Sequence, residues 1–221
     1  MAKPIQTAPA PPTVDRDEYE RLLAQQLEVE KELTWLGDSV SARRRQLPMT
    51  PIEDYVFVGR DGPVRLSELF DDQPQLVVQS FMFHPDWDDG CPSCTWAVDN
   101  LPTKLVDLLA PKGVAFAVVS RAPFDKLQRW QERLGWDHIT WVSSSDNTFN
   151  TDWGWTVDGQ DQPGYSYLLR TDDGIFLTYR TERRGTEAIL PVPAIWDRTV
   201  YGRQQDYEDS PDGWPQQPTY G

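Results

Sequence analysis

The chain is poor in thiols and imidazoles: 221 residues include two cysteines, Cys91 and Cys94, and two histidines, His84 and His138. A single pair of cysteines three positions apart is not the arithmetic of a stapled extracellular scaffold. No apolar run approaches the roughly 18 residues that a membrane helix requires. The opening MAKPIQTAPAPP has no apolar segment of the secretory kind. Basic residues are scarce too, with 21 Lys and Arg against 35 Asp and Glu and a net charge of −14. Such a surface repels phosphate backbones and anionic membranes, so neither nucleic acid nor membrane is an expected partner. The expectation from these absences is a cytoplasmic protein whose cysteine pair carries chemistry or metal.

What the chain does contain is large apolar surface. Aromatics make up 12% of the residues and tryptophan alone occurs ten times, too much for a disordered polymer. The length suits one domain with extensions better than two full domains. Pro4, Pro9, Pro11 and Pro12 mark residues 1–14 as a disordered tail, and Pro211, Pro215 and Pro218 mark 201–221 as an irregular one. Between them, residues 15–47 predict an amphipathic helix. Asp15 with Glu18 forms a capping-box start, and Tyr19, Leu22, Gln26, Val29, Leu33, Leu36 and Val40 recur at helical spacing. Gly37 weakens it, Arg43 to Arg45 suit its C-terminal end, and Pro48 stops it. This helix lies against its own chain or pairs with a second copy as a homodimer.

Residues 50–200 read as one α/β domain. Residues 55–58 and 64–66 flank the turn Arg60-Asp61-Gly62-Pro63, and 76–83 is an apolar run of the kind buried on both faces of a sheet. A helix over 101–109, bent at Pro102, leads to a second buried run at 114–119, which together imply a parallel crossover. Pro123 opens a further helix with Phe124, Leu127, Trp130 and Leu134 on one face. A short strand at 139–142 follows, and Asp172-Asp173-Gly174 joins 165–169 to 175–179 as a hairpin. The sum is a mixed sheet with helices on both faces.

The sharpest motif is Gly90-Cys91-Pro92-Ser93-Cys94, where a buried strand gives way to a helix. Cys91 at the helix N-terminus meets unpaired N–H groups that favour a thiolate, so Cys91 attacks and Cys94, one turn on, resolves. Asp86, Asp88 and Asp89 just upstream oppose that effect, so no unusually acidic thiol is expected. His84 is the titratable base nearest in sequence and a candidate proton acceptor. Trp87 and Trp96, with Trp153 and Trp155 more distantly, are candidates to wall an apolar pocket. Ser120 and Arg121 end the second buried strand, where open α/β sheets place ligands, so Arg121 is a candidate for holding a thiolate or an anion.

Phe81-Met82-Phe83-His84-Pro85-Asp86-Trp87-Asp88-Asp89-Gly90-Cys91-Pro92-Ser93-Cys94, then Val119-Ser120-Arg121-Ala122-Pro123, Gly135-Trp136 and Trp141-Val142-Ser143-Ser144, resemble a bacterial family of thioredoxin-like dithiol–disulfide oxidoreductases. The likeness spans about residues 15–200. It implies a thioredoxin-like fold of the peroxiredoxin type with a mixed sheet, a long N-terminal helix, and Cys91 and Cys94 as the redox pair. The family pattern has glycine at the position of His84, which gives this chain an extra ionisable group. Thioredoxins place a cis-proline facing the disulfide, and Pro163 is the candidate. Their last helix is hard to place here, because Pro191 and Pro193 interrupt the stretch where it belongs.

The leading expectation is a thiol–disulfide oxidoreductase acting on a disulfide or small-molecule substrate, regenerated by an external thiol and needing no bound cofactor. Two other readings stand beside it. One is a tailoring or binding protein for an aromatic small molecule built on His84 and the tryptophans. The other is a metal-binding protein in which His84 and His138 join the two cysteines.

Overall fold

The structure, a computed structural model, describes residues 9–217. These divide into two compact units: the chain up to Leu47 together with the chain from Ile195 onward, and Pro48–Ala194. Residues 1–8 of the expected N-terminal tail lie outside the described residues, as do 218–221.

In the first unit, helix α1 covers Arg16–Arg44. The Asp15 carboxylate accepts from the Glu18 N–H at 2.9 Å, and the acidic first turn and the basic last turn both complement the helix dipole. Gly37 does not interrupt it, and none of its side chains is buried. Residues 201–217 run through turns, tied by Arg203 pairing with Asp197 and by Tyr201 set edge-on to Trp214.

The second unit is built on an eight-stranded sheet in the order β1-β10-β9-β4-β5-β6-β2-β3. The strands are β1 (Thr50–Ile52), β2 (Val56–Gly59), β3 (Gly62–Arg65), β4 (Gln75–Ser80), β5 (Val114–Ser120), β6 (Thr140–Ser143), β9 (Gly164–Thr171) and β10 (Gly174–Glu182). A separate ribbon pairs β7 (Thr156–Val157) with β8 (Gln160–Asp161). β5 lies parallel to β4 and to β6, whereas β9 runs antiparallel to β4 with Ser80 opposite Gly164. The sequence of β5 shows why it sits at the centre. Phe116 and Val118 join one buried cluster while Ala115, Ala117 and Val119 join another, so the strand is covered on both faces. The mixed α/β architecture expected from the sequence is present.

The helices of this part of the chain are α2 (Pro92–Asp99), α3 (Leu105–Leu109), α4 (Phe124–Leu134), α5 (Phe149–Asp152) and α6 (Pro191–Trp196). Several boundaries differ from expectation for local reasons. No continuous helix covers 101–109: Pro102 lacks an N–H and disfavours helical geometry at Leu101, so the chain turns there and resumes at Leu105. Pro123 is the N-cap of α4 rather than its first residue, and Gly135, at φ 73°, closes that helix in the left-handed region. Pro191 and Pro193 do not prevent the last helix. They fall in its first turn, where no intrahelical N–H is required.

Candidate active site

The site begins where β4 leaves the sheet. Phe81 still donates its N–H to the Val119 carbonyl at 2.9 Å, and Phe81 and Phe83 are buried. The chain then swings out through 84–90 and returns, with the Cys91 N–H donating to the Met82 carbonyl at 3.0 Å. Helix α4 holds that loop. Lys126 Nζ donates to the Pro85 carbonyl at 2.7 Å and to the Trp87 carbonyl, with the ammonium 5.2 Å from the Phe83 ring centre. Arg133 pairs with Asp89 at 2.9 Å and stacks 4.0 Å from the Trp130 ring centre.

Cys91 is the N-cap of α2 and Pro92 its first helical residue, which puts Cys94 at the third position. Both thiols are unpaired and buried, Cys91 to 8% exposure and Cys94 to 4%. The neutral Cys91 side chain makes no capping hydrogen bond. Its thiolate, however, is favoured first by the Cys94 S–H, then by the backbone N–H groups of Cys94 and Ser93 and the Ser93 hydroxyl. Against the opposing cost of burial, these lower the thiol to about 6. Cys94 moves the other way, pushed up by donating to Cys91, by burial, and by the negative charges of Cys91 and Asp161. The arrangement is therefore an acidic outer sulfur over a protonated inner one. Asp86, Asp88 and Asp89, expected to offset the helix terminus, stand on an exposed loop where solvent screens them, and Asp89 is paired with Arg133.

The other predicted residues are dispersed. His84 turns to its own loop: its Nδ1 accepts the Asp86 N–H at 3.1 Å and lies 3.6 Å from the Asp86 carboxylate. Trp87 and Trp96, on the loop before and the helix after the cysteines, are exposed to 41% and 37%. Trp153 and Trp155 do not wall a pocket with them. They pack in the cluster on the opposite face of the sheet. Ser120 is fully buried, with its carbonyl taken by the Ser144 N–H at 2.8 Å, so it reaches no substrate. Arg121 is not open to an anion either: Nε binds Asp161 Oδ1 at 2.9 Å and Nη2 binds the Gly159 carbonyl at 3.0 Å. Pro163 precedes β9 through a trans peptide, as everywhere among the described residues, so the expected cis-proline is absent. His138 lines a cleft with Gly59, Arg60 and Thr140, away from any cysteine. Among the described residues no group of three or more His, Cys, Asp or Glu side chains is placed to hold a metal, so the four-ligand set does not assemble.

Sequence reasoning missed Asp161. Its side chain is only 3% exposed; Oδ1 accepts from Arg121 and from the Thr156 hydroxyl, and Oδ2 has no partner. Its charge contributes to the rise at Cys94, and Cys94 in turn contributes to the rise of Tyr165, whose hydroxyl is buried without a partner. Nothing local to Asp161 signals its burial, because its partner Arg121 lies 40 residues away in the chain.

No helix among the described residues is long and apolar enough to cross a membrane. Among solved structures, the chain is similar to the peroxidoxin BcpB of Mycobacterium tuberculosis, with a TM-score of 0.51 and 17% identity over 64% of this chain and 90% of that one. Reduced Prx3 from Vibrio vulnificus matches with a TM-score of 0.48 and 20% identity over 61% and 85%. A secreted Mycobacterium tuberculosis disulfide oxidoreductase homologous to E. coli DsbE matches with a TM-score of 0.37 and 16% identity over 62% and 91%. The first likeness places the chain in the peroxiredoxin-type thioredoxin-like fold. No curated protein matches the sequence. Residues 8–220 match the family described as bacterial proteins of unknown function (DUF899), and the chain belongs to it.

Proposed function

We propose that the protein is a dithiol–disulfide oxidoreductase in which Cys91 attacks and Cys94 resolves. The observation that carries this reading is the placement of the pair: Cys91 is the N-cap of α2 and Cys94 its third residue, both buried and free of any disulfide, with the Cys91 thiol lowered and Cys94 raised in consequence.

The steps follow from that asymmetry. Cys91 thiolate attacks one sulfur of the substrate disulfide; that S–S bond breaks, the first substrate thiolate leaves, and a mixed disulfide remains on Cys91. Cys94 then loses its proton and attacks Cys91 Sγ, the mixed disulfide breaks, and the second substrate thiolate departs. The substrate has gained two electrons, and the protein holds a Cys91–Cys94 disulfide that an external dithiol reduces. The proton that Cys94 gives up is taken by the departing substrate thiolate. Trp87, on the loop before Cys91, and Trp96, on the helix after it, are exposed apolar surface for the substrate's flanks.

Thiol counting in graded redox buffers tests the reading. The pair is expected to close into one disulfide with a midpoint within about −300 to −120 mV, the range of known dithiol proteins. Cys94→Ala is expected to accumulate the mixed disulfide on Cys91. Two thiols that stay free across that range, or a Cys94→Ala protein that turns over normally, would exclude the mechanism.

A further inference from the structure

Helix α1 runs for 29 residues, and none of them is buried. In water most of a helix's stability comes from covering an apolar face, so a helix that packs on nothing draws little from its backbone alone. α1 has such a face. Tyr19, Leu22, Val29, Leu33, Leu36 and Val40 each stand between 43% and 67% exposed. Together with Gln26 they recur at alternating three and four residues without a break. That repeat keeps one stripe turned toward a partner helix along most of α1, about 43 Å in all. Gln26 is the polar exception, and its amide is satisfied within the helix by Glu30 Oε1 at 3.1 Å. Leu27 and Trp35 are exposed to the same degree but fall outside the repeat.

We propose that α1 is a dimerisation helix whose stripe packs antiparallel on α1 of a second copy of this chain. Charge selects that occupant and its direction. The helix starts acidic, with Asp15, Asp17, Glu18 and Glu20 against Arg16 and Arg21, and ends basic, with Arg43 and Arg44 in the last turn and Arg45 after it. Laid antiparallel, each acidic start lies beside the basic end of the other copy, and the two helix dipoles attract. Laid parallel, like charge meets like at both ends. A two-fold axis near Lys31 then sets Leu22 opposite Val40 and Val29 opposite Leu33, so one stripe serves both copies. Glu30 and Glu32 flank the seam at its middle, where each faces its own counterpart and limits the affinity. The inference draws on no residue of the cysteine site and stands or falls apart from the dithiol reading.

Sedimentation equilibrium of the full chain, held reduced so that no disulfide links two copies, tests the proposal. The parent is expected to be dimeric at about 100 μM. Leu33→Ala with Leu36→Ala keeps helix propensity but strips the stripe, and the dissociation constant should rise at least about a hundredfold. Leu27→Ala with Trp35→Ala removes as much exposed apolar surface off the stripe and should leave the constant within about twofold. Arg43→Gln with Arg45→Gln should weaken the dimer about threefold or more, and Glu32→Gln should tighten it. Parallel helices would reverse the arginine effect and show nothing at Glu32, which would then face Gly37. A partner of different sequence would leave the purified chain monomeric. A monomeric parent, a dimer indifferent to Leu33 and Leu36, or one dissolved equally by the Leu27 and Trp35 changes overturns the proposal. A dimer that tightens on loss of Arg43 and Arg45 overturns its antiparallel sense.

Discussion

Lys126 Nζ donates to the carbonyl oxygen of Pro85 at 2.7 Å, joining α4 to the loop that presents Cys91. The same ammonium holds the Trp87 carbonyl and lies over Phe83. Lys126→Met keeps the aliphatic stem but leaves both carbonyls without their charged donor. Urea denaturation is expected to show a loss of about 2 kcal/mol, in the range for hydrogen bonds to charged groups, with Lys126→Arg recovering part of it. A loss below about 0.5 kcal/mol would mean that water replaces the ammonium at no cost.

Alkylation by iodoacetamide reads the state of Cys91. For the reduced protein the rate should rise through a midpoint near pH 6, well below the roughly 8.5 of a free thiol. Because the Cys94 S–H is the largest influence, Cys94→Ala should raise that midpoint, and Ser93→Ala should raise it less. The sign for stability follows from linkage. The folded chain sheds this proton at lower pH than the unfolded chain, so reduced protein gains stability as pH climbs from about 6 to about 8.5. That gain is fully present above the window and is lost as pH falls through 6. Comparing urea midpoints with those of Cys91→Ser across the window measures it. An alkylation midpoint at the free-thiol value would remove the basis for Cys91 as the attacking sulfur.

Two glycines near the site serve different ends. A Cβ at Gly90 would come within 2.7 Å of the Phe81 ring and 3.1 Å of Trp130, both buried. Gly90→Ala should therefore cost about 1–3 kcal/mol as overpacking, and it should slow Cys91 alkylation by displacing the residue next to it. At Gly135 nothing lies within 4 Å of the added carbon, but φ is 73°. Gly135→Ala should cost about 1 kcal/mol as backbone strain and leave alkylation alone. Thermal melts and alkylation rates, measured together, separate the two; equal effects on reactivity would contradict the packing argument at Gly90.

The sheet strands were largely legible because their signals are short-range. The run at 114–119 is continuous and that at 76–83 nearly so, and they supply the central parallel pair β5 and β4, although β4 ends at Ser80. Asp172-Asp173-Gly174 is a turn signal between β-rich segments, and it joins β9 to β10. Strand β1 was invisible, since three residues with a proline in the middle carry no periodicity; it forms only because β10 supplies an edge. The site was half legible. Cys91 and Cys94 are one helical turn apart, so their proximity follows from spacing alone. What His84 binds was not legible, because the loop between Phe83 and Gly90 sets its ring against Asp86.

By itself the sequence determined the cysteine pair, the helix it starts, the acidic surface and the central strands, since each depends on neighbours within a turn or two of chain. Only the tertiary structure decided which carboxylate is buried and that Arg121 binds it. Strand β9 returns antiparallel beside β4 and brings the β7–β8 ribbon to the mouth of the sheet, where burial forces charge to pair with charge. No local pattern encodes a contact between residues so far apart along the chain.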